Sequence, residues 1–151
     1  VGPQSIKQTI AIGRSVREAI NRQFDVQHPT EPFIKGVTHV LFTAPPQNHP
    51  DAHLSNAVVI PPGSVSRSPC GTGTCAKVAQ LYKEEQLKVD EIFNHESAMT
   101  GTIFKARIVG TEKVGGYDAV VADVAGSAHI TGMNTFVVDP RDPLRNGFSL
   151  L

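Results

Sequence analysis

Residues Ser68–Cys75 read SPCGTGTC and run straight into AKVAQLYKEEQL. This junction constrains the fold more than any other stretch, because it makes one helix, over about residues 74–87, the centre of a chain that otherwise reads mostly as strand. GVTHVLFT (36–43) is rich in β-branched residues and predicts a strand. NAVVIPPG (56–63) predicts a short buried strand ending at Pro61-Pro62. In TGTIFKARIVG, Phe104, Ala106 and Ile108 alternate with Lys105 and Arg107, the pattern of a half-buried strand. YDAVVADVAG and SAHITGMNTFVVD predict two more, separated by Gly126. Upstream, Ser5-Ile6-Lys7-Gln8 has capping-box spacing, and Ile6, Ile10, Val16, Ala19 and Ile20 follow at roughly helical intervals. That predicts an amphipathic helix to about Phe24. The order helix, strands, one central helix, strands is an α+β fold, without the regular βαβ alternation of a doubly wound sheet.

Composition narrows the function. The chain's 151 residues suffice for one domain with a core. Lys and Arg total 14, and so do Asp and Glu, so no basic field draws nucleic acid or an anionic membrane. No apolar run approaches the ~20 residues that span a bilayer. There are two cysteines, close together, which is no disulfide framework; a cytoplasmic location is the default. The first residue is Val1, compatible with processing or with a piece cut from a longer chain. His49 and His53 are four apart, a spacing that helical zinc sites use. Pro50 interrupts them, however, and no Cys or Glu completes a ligand set.

The opening motif admits three chemistries. A phosphate loop fails, because no lysine follows the glycines in place, and Gly71-x-Gly73 lacks the strand and acidic partner of a dinucleotide fingerprint. A metal or redox pair fails, because Cys70 and Cys75 are five apart and no second pair exists. A reactive thiol at a helix start fits. The first amides of a helix lack internal partners and carry partial positive charge. Pro69 sets the chain direction, Gly71 and Gly73 leave the amides bare, and Thr74 is placed to cap. A thiol there is expected to ionise more readily, and the same amides can hold a carboxylate. The residues alone leave a second reading of Cys70 standing, that of a small buried side chain. Cys75 falls on one helical face with Val78, Ala79 and Tyr82 and reads as core.

RSPCGTGTCAKVAQLY closely resembles the second catalytic motif of the proline racemase family, which includes hydroxyproline 2-epimerases and trans-3-hydroxyproline dehydratases. AINRQFDVQHP, VTHVLFTAPP, HESAMTGTIFKARIVG and GSAHITGMNTFVVDPRDPLRNGFSL resemble other segments of that family, so the likeness covers nearly the whole chain. It implies a diaminopimelate-epimerase-like fold. Two similar halves each wrap a mixed sheet or barrel around a central helix, with a cysteine at each helix start and the substrate in the cleft between. Members are about twice this length. The resemblance therefore implies that residues 1–126 are the second catalytic half, lacking its N-terminal strands. Residues 127–151 would cross back to the missing first half.

The implied activity is a cofactor-independent amino-acid racemase or epimerase acting on proline or hydroxyproline. One thiolate removes the α-proton and an opposing thiol protonates the other face. Cys70 is then one of that pair, the Gly71 and Thr72 amides hold the carboxylate, and His39 matches a substrate-contacting position. No metal and no cofactor is implied. The partners implied are a small amino-acid substrate and the missing first catalytic half of the parent chain, or a second copy in a homodimer that sets two Cys70 helix starts face to face. Two departures stand out. The family motif usually reads D-R-S-P-C, with the acid near the substrate amine; Ser66 takes that substrate-binding place here, and a hydroxyl cannot pair with an ammonium as a carboxylate can. Leu41 stands where relatives often carry an acid. Dehydratases of the family typically have threonine at the position of Cys70. The alternatives are thus a trans-3-hydroxyproline dehydratase, or an inactive remnant that binds a carboxylate or a partner chain.

Overall fold

The structure, a computed structural model, describes residues 1–149. Helix α1 spans Ile6–Gln23 and α2 spans Gly71–Lys83. The strands are β1 (Val40–Ala44), β2 (Leu54–Ile60), β3 (Ser64–Val65), β4 (Ile92–Ser97), β5 (Ile103–Val114) and β6 (Tyr117–Ala125). They form one mixed sheet in the order β1-β2-β4-β5-β6, with the short β3 also paired to β2. Every pairing is antiparallel except β2 with β4. A parallel pair needs a crossover, and α2 lies in it. The α+β class expected from the sequence holds, with a single β2–α2–β4 crossover at its centre.

β2 is buried on both faces, as its run of Ala57, Val58 and Val59 requires. Adjacent residues point to opposite sides. Val59 meets α1 at Gly13, while Val58 and its cross-strand partner Leu41 face α2. The main core lies on the α2 side, where Val78 and Leu81 pack with Leu87, Phe93, Ala106 and Ile108. In β5 the predicted alternation is present: Ala106 and Ile108 are buried, while Arg107 faces out to Asp90 and Asp123. Gly115 and Gly116 close the β5–β6 hairpin, both with positive φ (54° and 88°), which a two-residue turn matching the sheet's twist demands.

Several elements differ from expectation. Ser5 caps α1 with no side-chain bond. Its hydroxyl instead bonds Gly2 in a 3₁₀ turn over Pro3–Ser5, so the capping box with Gln8 does not form. β1 begins at Val40, leaving residues 36–39 as connection. α2 starts at Gly71, and Cys70 rather than Thr74 caps it. Its buried face is Thr74, Val78 and Leu81. Cys75, Ala79 and Tyr82 sit one residue round from that face, which leaves Cys75 only half-buried and Tyr82 exposed. Residues 126–149 form no helix or strand, although a strand was expected over much of that stretch. Ile130, Met133, Phe136 and Val137 are exposed there, because no neighbouring strand among the described residues pairs with them. Among the described residues no helix is long and apolar enough to cross a membrane.

Gly13 sets how closely α1 approaches the sheet. A Cβ there would lie 2.8 Å from both Cβ and Cγ2 of Val59, and no rotamer change moves a Cβ away. Gly13→Ala gains up to ~1 kcal/mol in helix propensity. Overpacking costs about 1–3 kcal/mol and is expected to win. Urea unfolding should therefore show Gly13→Ala less stable than the parent; equal or greater stability would mean α1 does not seat here.

Candidate functional site

Three groups of contacts hold the turn before α2. The hydroxyls of Ser97 and Thr100 both donate to the Arg67 carbonyl, each at 2.8 Å. Ser66 Oγ donates to the Ser68 carbonyl at 3.2 Å, and Ser68 Oγ accepts from the Cys70 amide at 3.3 Å. Inside the helix, Thr74 N–H donates to the Cys70 carbonyl at 2.9 Å, and Thr74 Oγ1 donates to the Pro69 carbonyl at 3.3 Å.

Cys70 thereby occupies the N-cap of α2 with φ 68° and ψ 119°, a positive-φ backbone that side chains rarely adopt. Its Sγ accepts the Gly73 N–H at 3.4 Å and lies 3.5 Å from Thr72 Oγ1. A thiolate in this place would be met by a backbone donor and by the positive end of a 13-residue helix. The Gly71 and Thr72 amides, the first two of α2, make no hydrogen bond among the described residues. They are donors available to an anion.

Cys70 opens onto a hollow of about 380 Å³, within the ~300–1,000 Å³ typical of small-molecule pockets. His39, Leu41 and Val58 form the sheet side of its wall; Thr72, Gly73 and Lys77 form the helix side. His39, which precedes β1, bonds Thr38 Oγ1 through Nδ1 at 2.7 Å. Of the residues singled out in the sequence, Cys70, Thr72, Gly73, His39 and Leu41 share this wall. Gly71 does not line it; a Cβ at Gly71 would meet nothing within 4 Å, so that turn is open to approach. Ser66 does not line it either, because its hydroxyl is turned into the bend toward Ser68.

Lys77, which comes too late after the glycines for a phosphate loop and takes no site role from the sequence, is the wall's one lysine or arginine among the described residues. Its spacing of seven from Cys70 puts both on one helical face, which is the signal that finds it. Its Nζ donates to Gln80 Oε1 at 3.1 Å. Leu41 reaches over Gly73, where a Cβ would come within 2.6 Å of Leu41 Cδ1. Glycine at 73 thus lets the strand close on the helix.

Below the hollow, the fully buried His95 of β4 sits 2.9 Å from Thr74 Oγ1 through Nδ1. Burial, reinforced by the nearby Lys77 charge, lowers its pKa from 6.5 to about 4, so the ring is neutral at physiological pH. Glu96, the next residue, points to the opposite side. Burial alone would raise its pKa. The Gln47 amide, the Asn48 side chain and the Asn48 and His49 amides outweigh that and hold it below the ordinary value. This carboxylate fastens the β1–β2 loop. His49 and His53 each use Nδ1 to accept a backbone amide, from Asp51 and Asn94 respectively. Among the described residues no three His, Cys, Asp or Glu side chains are grouped to hold a metal ion.

Comparison with known proteins agrees in fold and in sequence. The family model described as Proline racemase matches residues 1–149. A proline racemase of Acetoanaerobium sticklandii is 48% identical over 139 residues, covering 92% of this chain and 41% of its own length. A 4-hydroxyproline 2-epimerase of Ancylobacter novellus is 40% identical over 141 residues, covering 93% of this chain and 42% of its own length. The crystal structure of a hydroxyproline epimerase from Agrobacterium vitis, with bound trans-4-hydroxy-L-proline, superposes with a TM-score of 0.79 at 32% identity. That match covers 99% of this chain and 42% of that one. The chain thus spans about two fifths of the length of these relatives.

The buried His95 has a consequence for stability. Its pKa is lowered on folding, so the unfolded chain binds the extra proton between pH 6.5 and about 4. The contribution of the neutral ring is complete above pH 6.5 and is lost as pH falls to about 4. At ~1.4 kcal/mol for each pH unit, the loss is on the order of 3 kcal/mol. Urea unfolding at pH 7.5 and pH 4 should show His95→Asn losing about that much less than the parent. Parallel losses in the two proteins would mean that His95 is not buried neutral.

Proposed function

Because the chain belongs to the proline racemase family, we propose that it carries one catalytic half of an amino-acid racemase or epimerase acting on proline or a hydroxyproline. The observation that carries this reading is Cys70 at the N-cap of α2, its sulfur facing a small hollow beside two unpartnered backbone amides. The names of the similar proteins and the hydroxyproline bound in the Agrobacterium vitis structure support it.

In this reading the substrate carboxylate binds the Gly71 and Thr72 amides. The Cys70 thiolate takes the α-proton; the electron pair of the broken C–H bond moves toward the carboxylate, and the helix N-terminus stabilises the growing charge. An opposing acid then delivers a proton to the other face of Cα, which inverts it. In the reverse direction Cys70 starts as the thiol and gives its proton up. His39 borders the substrate's far side. Ser66, held by Ser68, helps to shape the Cys70 turn, and the substrate amine finds its partner elsewhere. The opposing acid comes from a second half, in the same polypeptide or in a second copy, within a cytoplasmic enzyme. Residues 1–126 form the half described here, and 127–151 pack against the other half. Positions 150–151 of that segment lie outside the described residues. The exposed Ile130, Met133, Phe136 and Val137 are the side chains this packing would bury.

Exchange of the α-proton of L-proline and trans-4-hydroxy-L-proline in deuterated water tests the proposal, using the full-length protein and its Cys70→Ser variant. A lost acid/base should slow exchange by ~10²–10⁴-fold. Exchange at the parent rate in Cys70→Ser would remove Cys70 from the chemistry. A cyclic imine product without an epimer would instead assign dehydration. The 151 residues alone should not turn over unless two copies bring their Cys70 sites together.

A further inference from the structure

We propose that His95 is a positioning residue for Cys70: as the Nδ1–H tautomer it donates to Thr74, which donates in turn to the Pro69 carbonyl and locks the N-cap of α2. This rests on the reading of Cys70 as the acid/base. Thr74 Oγ1 has two neighbours in hydrogen-bond range, the Pro69 carbonyl at 3.3 Å and His95 Nδ1 at 2.9 Å. A hydroxyl carries one proton. The carbonyl can only accept, so Thr74 must donate to it, and the second contact is a hydrogen bond only if His95 is the donor. Both bonds therefore exist together in a single tautomer, with the proton on Nδ1 and a bare lone pair on Nε2. Nε2 has no partner among the described residues. A buried lone pair without a donor is easier to leave unpaired than a buried N–H.

The geometry gives this chain of bonds a task. Thr74, His95 and Pro69 are all fully buried, and the Phe93 ring, 5.1 Å away, packs beside His95. The relay thus ties the carbonyl just before Cys70 to the middle of β4. Cys70 holds its unusual φ of 68°, and that backbone aims Sγ at the Gly73 amide. If the Pro69 carbonyl is released, the N-cap can relax and the sulfur loses its donor. The ring is neutral at working pH, so it acts as a single directed donor and places no charge beneath the thiol.

Two measurements on the full-length protein test this. Nitrogen-15 NMR of the His95 ring should show a protonated Nδ1 and an unprotonated Nε2 at pH 7; the opposite tautomer overturns the proposal. The second is Cys70 alkylation at pH 7 in a Cys75→Ala background, since cleavage at Arg67 and Lys77 would leave both cysteines in one peptide. His95→Leu and Thr74→Val should each slow alkylation at least threefold, and the double variant should be no slower than the slower single. His95→Asn, whose side-chain amide can donate from nearly the place of Nδ1, should restore the rate to within twofold. Rates within twofold of the parent in folded His95→Leu and Thr74→Val overturn the proposal, as does an Asn variant no better than Leu. If His95→Leu does not fold, the Thr74 pair decides: Val must slow alkylation and Ser must not. Alkylation reads the thiol without turnover. A Cys70→Ser protein that still exchanges α-protons would therefore defeat the functional reading and leave the relay to stand or fall on its own data.

Discussion

The rest of the structure depends on the double burial of β2. A strand exposed on one face could be packed by one helix. The successive Val58 and Val59 commit β2 to two, α1 on one side and α2 on the other. At Gly13 and Gly73 a side chain of the sheet presses against each helix, from β2 in one case and from its neighbour β1 in the other. One has its missing Cβ filled by Val59, the other by Leu41. The same sheet layer that anchors the fold therefore supplies Leu41 and Val58 to the wall of the hollow. Packing and site cannot be altered independently.

The turn bearing Cys70 gains its rigidity from long-range partners. Ser97 and Thr100 hold the Arg67 carbonyl, and Thr74 and His95 stand under Pro69. All except Thr74 come from β4 or the residues just after it. β4 is also the parallel neighbour of β2, so the crossover that contains α2 returns to the strand that braces its start. The hollow inherits its shape from that closure. The turn that leads into the glycine-bearing start of α2 is thereby braced from outside itself, and the bracing fixes where the Cys70 side chain stands.

Much of this was legible in the sequence where local pattern controls structure. The alternation of Phe104, Ala106 and Ile108 with Lys105 and Arg107 was enough to assign β5, and the periodic Ile6 to Ile20 run was enough to assign α1. Cys70, Thr72 and His39 were recognisable because the motif around Cys70 is distinctive and His39 belongs to a second matching segment. Local pattern failed where distant partners decide. Thr74 looks like a cap by residue type, but the backbone bends at Cys70 and leaves Thr74 inside the helix, facing His95, 21 residues away. Cys75 looks like core until the helix's rotation against the sheet is known. SAHITGMNTFVVD has the composition of a strand and no adjacent strand to pair with among the described residues, and a strand is defined by its neighbour.

The backbone angle at Cys70 sets its side chain against its main chain. Positive φ costs a residue with a Cβ on the order of 1–3 kcal/mol, and glycine escapes most of it. For folding alone, glycine would be the better residue at position 70, and a denaturation curve of Cys70→Gly beside Cys70→Ala would show the difference. The thiol at this position is therefore held against the preference of the backbone.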